Sequence, residues 1–190
     1  MKWEGNKIYI RFLEESDAEM LLDLHLRNKD FFEKYLTTRD VDFYDLEEQE
    51  ERIKDGILQK ENKEKYPFGI FEKTTDELIG NVALSEVMWG SLQSCFIGYF
   101  LDLKHNGKGY MAEAVDLAVK FAFDEIHLHR IEAGVMPRNL SSTRVLERAG
   151  FHKEGIAQKN VLINGKWEDH QVLAILNPEV LVSHVRKKVK

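Results

Sequence analysis

The sequence predicts an α/β (α+β) protein, a mixed central β-sheet of about six to seven strands flanked by helices, and three observations carry that reading. Cys95-Phe96-Ile97-Gly98-Tyr99-Phe100-Leu101 is an uninterrupted apolar run, so both its faces should be covered and it belongs in the middle of a sheet. A glycine-bearing turn, Lys104-His105-Asn106-Gly107-Lys108-Gly109, joins that run to a helix over Met111–Phe123 that is apolar nearly all round. The strand Arg130–Met136 and the helix Leu140–Ala149 then follow, completing a βαβα core.

The remaining elements follow in chain order. Lys7–Phe12 alternates as a strand does, and Ser16-x-x-Glu19 reads as a capping box for a helix over Met20, Leu21, Leu24 and Leu26. A second helix spans Asp45 to about Lys60. Tyr66–Phe71 and Leu78–Leu84 form a hairpin through the turn Thr74-Thr75-Asp76-Glu77, and Gly98 in the following strand suggests a bulge or a close backbone approach. Asn139 is placed to cap the Leu140 helix and Gly150 to end it. Val161–Ile163 and Trp167–Ile175 flank Asn164-Gly165, a strong hairpin signal.

At 190 residues and 43% hydrophobic content, the chain suits one domain, read as 1–178, followed by a basic tail, 179–190. No run approaches the ~18 apolar residues of a membrane span, and no hydrophobic signal region follows Met1–Asn6, so a soluble, cytoplasmic protein without a membrane partner is expected. The single cysteine, Cys95, sits in an apolar strand and reads as inert. The formal charge of -6 disfavours direct nucleic-acid binding. Its acidic concentration over Asp40–Glu51 is either a solvated helix face or an attraction for a cationic substrate. His127 and His129 lack the cysteines or carboxylates that would complete a metal site, and no metal is expected.

Two sites carry chemistry. Gly107 and Gly109 can take positive φ and have no Cβ, so successive N–H groups can converge on an anion while the helix N-terminus adds partial positive charge. The dinucleotide fingerprint is excluded because Ala112 stands where its third glycine belongs, and the triphosphate loop because Tyr110-Met111 follows where Lys-Ser/Thr is required. Asn139-Leu140-Ser141-Ser142 opens the helix after the neighbouring parallel strand. Strands starting near Ser94 and Arg130 would bring it to the same sheet edge as Gly107, where open α/β sheets bind ligands.

Gly107-Lys108-Gly109, Met136-Pro137-x-Asn139-x-x-Ser142, Leu146-x-x-Ala149-Gly150-Phe151-x-x-Glu154-Gly155 and Asn164-Gly165-x-Trp167-x-Asp169-His170 occur in that order. Together they resemble the ribosomal-protein N-terminal-alanine acetyltransferase branch of the GCN5-related N-acetyltransferase (GNAT) superfamily, over roughly Gly69 to Pro178. The resemblance implies a GNAT fold with a splayed parallel strand pair, acetyl-CoA as donor, and the N-terminal α-amine of a protein, most often a small basic ribosomal one, as acceptor.

It assigns Asn106, Gly107, Lys108, Gly109, Tyr110 and Met111 to the pyrophosphate, with His105 and Lys104 beside them, Lys104 standing where the superfamily usually has Arg or Gln. Carbonyls near Leu101 and Leu103 would pair with the pantetheine amides, and Asn139 would hold that arm. Ser142 would lie near the thioester sulfur and could protonate the thiolate. Glu86, at a strand end, is the candidate base, with an exposed structural carboxylate as the alternative; Asp169 and His170 either contact the acceptor or close the hairpin. Other readings keep the cradle: a small-molecule amine acetyltransferase acting on a polyamine, amino acid or aminoglycoside, or a non-catalytic acyl-CoA sensor docking on the ribosome through Val185–Lys190. A monomer or homodimer fits each of these.

Overall fold

A computed structural model describes residues 1–35 and 37–179, so all but the first residue of the expected basic tail lies outside the described residues. The elements are β1 (Lys2–Glu4), β2 (Ile8–Phe12), α1 (Ala18–Phe32), α2 (Leu46–Glu61), β3 (Tyr66–Glu72), β4 (Leu78–Met88), β5 (Ser94–Leu101), α3 (Tyr110–Lys120), β6 (Arg130–Val135), α4 (Leu140–Arg148), β7 (His152–Ile163) and β8 (Lys166–Leu176). The strands form one sheet of eight in the order β1-β2-β3-β4-β5-β6-β8-β7. The strand beyond the expected seven is β1, whose partner register, Lys2↔Arg11 to Glu4↔Tyr9, involves too few residues to show a pattern in sequence.

Alternation along the strands sorts side chains onto two faces. Ile8 and Ile10 pack in the larger core with Ala114, Val115 and Ala118 of α3, while Tyr9 between them joins Leu21 and Leu24 of α1 and Ile53 of α2 on the other face. The capping box before α1 is Glu14 with Asp17, not Ser16 with Glu19. Asp17, 2% exposed, answers the Arg11 guanidinium at 2.6 and 2.7 Å and accepts from the Glu14 N–H at 2.8 Å. That bidentate pair fixes the turn one step earlier than the local sequence suggests. In consequence Met20 and Leu26, expected on the buried face, are exposed, and His25 and Asn28 turn inward.

Every neighbouring pair of strands is antiparallel except β5 and β6, which pair in parallel. Their register begins at Ser94↔Arg130, as the sequence predicts, and ends after Phe96↔Glu132. From Ile97 onward the two strands diverge, and among the described residues the β6-facing edge of β5 has no strand partner. Gly98 therefore lies beside an opening rather than in a bulge. The bulge sits one strand over, between Ser85 and Met88 of β4, where Glu86 takes φ of 51°. The same divergence corrects the expectation that β5 is covered on both sides, because Gly98 is exposed and Tyr99 and Phe100 are only half-buried.

Candidate active site

The turn after β5 leaves open space at the head of α3. Asp102 accepts from the Lys104 N–H at 3.1 Å and from Arg27 Nε at 2.7 Å, and Asn28 Oδ1 accepts the Leu103 N–H at 2.9 Å, so α1 holds the turn. Gly107 and Gly109 adopt φ of 77° and 88°, and a Cβ at either would meet open space. Gly109 is the N-cap of α3, whose first amides, with no side chain capping them, face that space. On the far side Lys7 secures the turn, its Nζ donating to the Lys108 carbonyl at 3.2 Å and its N–H to Glu113 at 3.0 Å.

A cavity of about 530 Å³ extends from this hollow across the β5–β6 divergence. It gathers eight of the expected residues, Leu101, Asn106, Gly107, Gly109, Tyr110, Met111, Asn139 and Ser142. Four others do not line it. Leu103 is exposed, His105 is buried beside Tyr110, Lys108 reaches toward the Tyr110 ring, and the Lys104 ammonium pairs with Glu77 at 2.7 Å. The sequence reading missed Arg144 and Arg148, two cations that α4 contributes to the same wall, and Tyr99. Neither has a signal of its own in the sequence: the arginines have the spacing of a solvated helix face, and Tyr99 is one of three aromatics in an apolar strand.

Asn139 caps α4 as expected, its Oδ1 accepting the Ser142 N–H at 3.2 Å. Ser142 Oγ lies 2.8 Å from the Tyr99 hydroxyl, which also reaches the Ser142 carbonyl at 3.2 Å. Burial pushes the Tyr99 phenol up to about 12, partly offset by the Ser142 hydrogen bond, so it keeps its proton at neutral pH. Either oxygen can donate across the 2.8 Å contact; with the phenol proton on Ser142 Oγ instead of the Ser142 carbonyl, the serine proton is free to point into the cavity.

A second cavity, about 140 Å³, lies on the α1/α2 face and shares Phe100 with the first. Its floor includes His25, whose imidazole is pushed down to about 4 by burial, helped by the Arg39 and Arg52 cations. His25 is thus neutral in the fold at pH 7, and the unfolded chain binds its proton first as pH falls. Stability should be fully present above pH 6.5 and be lost progressively down to about pH 4, by roughly 3 kcal/mol. Urea unfolding at pH 7.5 and 4.5 should show this drop shrink in His25→Phe; an unchanged drop would assign it to other groups.

Glu86, Asp169 and His170 line neither cavity. Glu86 is exposed at its bulge. Asp169 accepts the Lys159 N–H at 2.8 Å, closing the irregular stretch of the β7–β8 hairpin, and His170 is buried against Gly134. The hairpin tip does more than the sequence suggests. Asn164 Oδ1 accepts from the Thr38 N–H at 2.7 Å and its hydroxyl at 2.8 Å, and Asn164 Nδ2 donates to the Glu33 carbonyl at 3.2 Å. Among the described residues one trio, Glu72, Glu77 and His105, brings metal-ligand atoms within 4.8 Å of one another, but Arg27 and Lys104 already occupy Glu77. The thiol of Cys95 is buried and pushed up to about 12, which keeps it unreactive. No helix among the described residues is long and apolar enough to cross a membrane.

Comparison with known proteins bears on this geometry. A family model described as an acetyltransferase (GNAT) domain matches residues 7–152. The chain is 60% identical over 176 residues to the Probable N-acetyltransferase YjcK of Bacillus subtilis, covering 93% of this chain and 97% of that one. The structure of the ribosomal-protein-S5-alanine acetyltransferase of Vibrio fischeri superposes with a TM-score of 0.90 at 30% identity, over 94% of this chain and 98% of that one. RimJ of Mycobacterium smegmatis, in complex with CoA-disulfide, superposes with a TM-score of 0.86 at 25% identity, over 94% and 90%.

Proposed function

Since the chain belongs to the acetyltransferase (GNAT) family and is an N-acetyltransferase, we propose that it moves the acetyl group of acetyl-CoA to the N-terminal α-amine of a protein, a ribosomal protein in particular. The observation that carries this reading is the continuous cavity from the glycine hollow to the Tyr99–Ser142 pair, with no carboxylate in its wall among the described residues. The hollow suits a pyrophosphate, Arg144 and Arg148 add cationic partners for phosphate, and the unpaired edge of β5 offers backbone groups to the pantetheine amides. Acetyl-CoA supplies the acetyl group as a thioester, already activated toward an amine.

The chain's own residues then have three tasks. The cradle amides and Asn139 orient the donor, the wall of Phe31, Phe32 and Tyr35 excludes water, and Ser142 gives a proton to sulfur with Tyr99 behind it. The C–N bond forms as the C–S bond breaks; the nitrogen loses one proton to water, the sulfur takes one from Ser142, and solvent returns one to the serine. An α-amine, with a pKa of ~8, is partly neutral at pH 7 unaided, whereas a lysine or polyamine amine at ~10.4 is almost wholly charged. Walls without carboxylates favour the acceptor that needs no base. Glu86→Gln is accordingly expected to keep kcat/KM within about threefold, and a loss beyond about tenfold would restore Glu86 as a base.

The deciding experiment follows release of CoA thiol from acetyl-CoA with ribosomal-protein N-terminal peptides, polyamines and aminoglycosides, with intact-mass analysis of each acceptor. A mass gain at a peptide α-amine is expected. Acetylation of small amines alone would replace the protein acceptor, and binding of acetyl-CoA without turnover of any amine would point to a sensor.

A further inference from the structure

Among the described residues, the cavity on the α1/α2 face is lined by four cations, Arg39, Arg52, Lys60 and Lys65, and by no carboxylate, although the whole chain carries a net charge of -6. None of the acidic side chains of the Asp42–Glu51 segment lines it, so that segment does not present negative charge to a ligand there. Among the described residues a single carboxylate, Glu48 at 3.6 Å from Arg52, lies within ion-pairing distance of any of the four. Arg39 and Arg52 both lie 4.9 Å from the centroid of the Phe43 ring, and Lys60 lies 4.8 Å from that of Phe12. Aromatic faces thus fix three of these cations where acidic partners would ordinarily stand. Burial, with repulsion from Arg52, holds Arg39 and Lys65 below their ordinary pKa values.

This concentration of like charge has a defined place. Phe100 walls both cavities, while its neighbour Tyr99 points to the opposite face and meets Ser142. The segment bearing Arg39 is held by Asn164, which accepts both hydrogen bonds of the adjacent Thr38. The space of about 140 Å³ has room for one small group; apolar side chains such as Leu13, Leu21 and Ile53 form most of its wall, a neutral His25 lies among them, and the Asn81 amide is already engaged, donating to the Phe68 carbonyl at 2.8 Å, so the four cations are the charged groups that meet an occupant.

We propose that this cavity is an acceptor subsite that takes the side-chain carboxylate of an acidic residue close to the N-terminus of the peptide being acetylated. The inference rests on the protein α-amine reading above and names the acceptor class within it: an N-terminus with Asp or Glu in its first few positions, whatever the charge of the protein behind it. A polyamine would meet repulsion at the same place.

The test uses the full chain with acetyl-CoA and three peptides that differ at one early position, Glu, Gln or Lys, with kcat/KM read from CoA release and the acetylated mass. The Glu peptide is expected to exceed the Gln peptide by about tenfold and the Lys peptide by more. In Arg52→Gln the Glu-to-Gln ratio should fall below about threefold, and in Arg52→Lys it should recover; a ratio taken within one preparation is insensitive to the fraction folded. Turnover of all three peptides at similar rates, or a preference for Lys, would overturn the subsite and leave the α-amine reading standing. Failure of every peptide to react would overturn that reading, and the subsite with it.

Discussion

Replacing Ser142 with alanine is expected to lower kcat by about 10²–10⁴-fold while leaving acetyl-CoA affinity nearly unchanged. The change removes one hydroxyl and spares the helix, because the bond that caps α4 runs from Asn139 to the Ser142 backbone N–H. The proton donor to sulfur is lost, and the neighbouring Tyr99 phenol, 2.8 Å behind the serine oxygen, does not reach into the vacated position without moving. Tyr99→Phe should cost less, about tenfold or more, since Ser142 remains but loses the partner that orients its proton. Single-turnover acetyl transfer, read beside CoA binding by calorimetry, separates the two. If Ser142→Ala turns over within threefold of the parent, the serine is not the acid, and a larger loss in Tyr99→Phe would assign the role to the phenol.

The second large effect is expected at Gly109. A valine there must hold φ near 88°, a conformation that costs a β-branched residue on the order of 1–3 kcal/mol, and its side chain would project into the hollow that faces the α3 amides. Acetyl-CoA affinity should fall about 100-fold or more, with Tm lower by about 2–4 °C for each kcal/mol of strain. Gly109→Ala should show a smaller loss in both. Nothing lies within 4 Å of a Cβ built at this position, so a loss of binding in Gly109→Ala reflects backbone strain or the filled hollow and not a clash of the methyl inside the protein. A valine variant that binds CoA within threefold of the parent would place the phosphates elsewhere.

The parts of this molecule that were legible in its sequence are those whose signal is local. β5 was readable from its apolar run, the left-handed turn before α3 from Gly107 and Gly109, the α4 cap from Asn139 and the hairpin from Asn164-Gly165. Even the parallel register of Ser94 with Arg130 could be read, since both begin strands separated by one helix. What escaped depends on contacts between distant residues. The turn before α1 is set by Arg11 gripping Asp17, which outweighs the local Ser16–Glu19 pattern. The first nine residues of β7, His152–Asn160, lie on an exposed edge, with Lys153, Glu154, Gln158 and Lys159 giving no apolar alternation to detect. Tyr99 gains its role only by meeting a helix that begins forty-odd residues later at Leu140, close to Ser142, a separation of 43 positions. Arg39, Arg52, Lys60 and Lys65 come from a loop, a helix and the approach to a strand, and only the packing of α1 and α2 on the sheet draws them together.

The early end of the β5–β6 ladder has a thermodynamic consequence as well as a geometric one. A sheet whose central pair stops at Phe96 is an unfinished one, and on the proposed arrangement the pantetheine arm supplies the missing rung. The donor then counts among the molecules that hold the protein folded: at a hundred times its Kd it adds about 2.7 kcal/mol by mass action, and amides of Ile97–Leu101 become the positions whose hydrogen exchange slows most on binding. Resistance to unfolding would then follow the supply of acetyl-CoA, so that a cell short of the donor would hold a less durable enzyme.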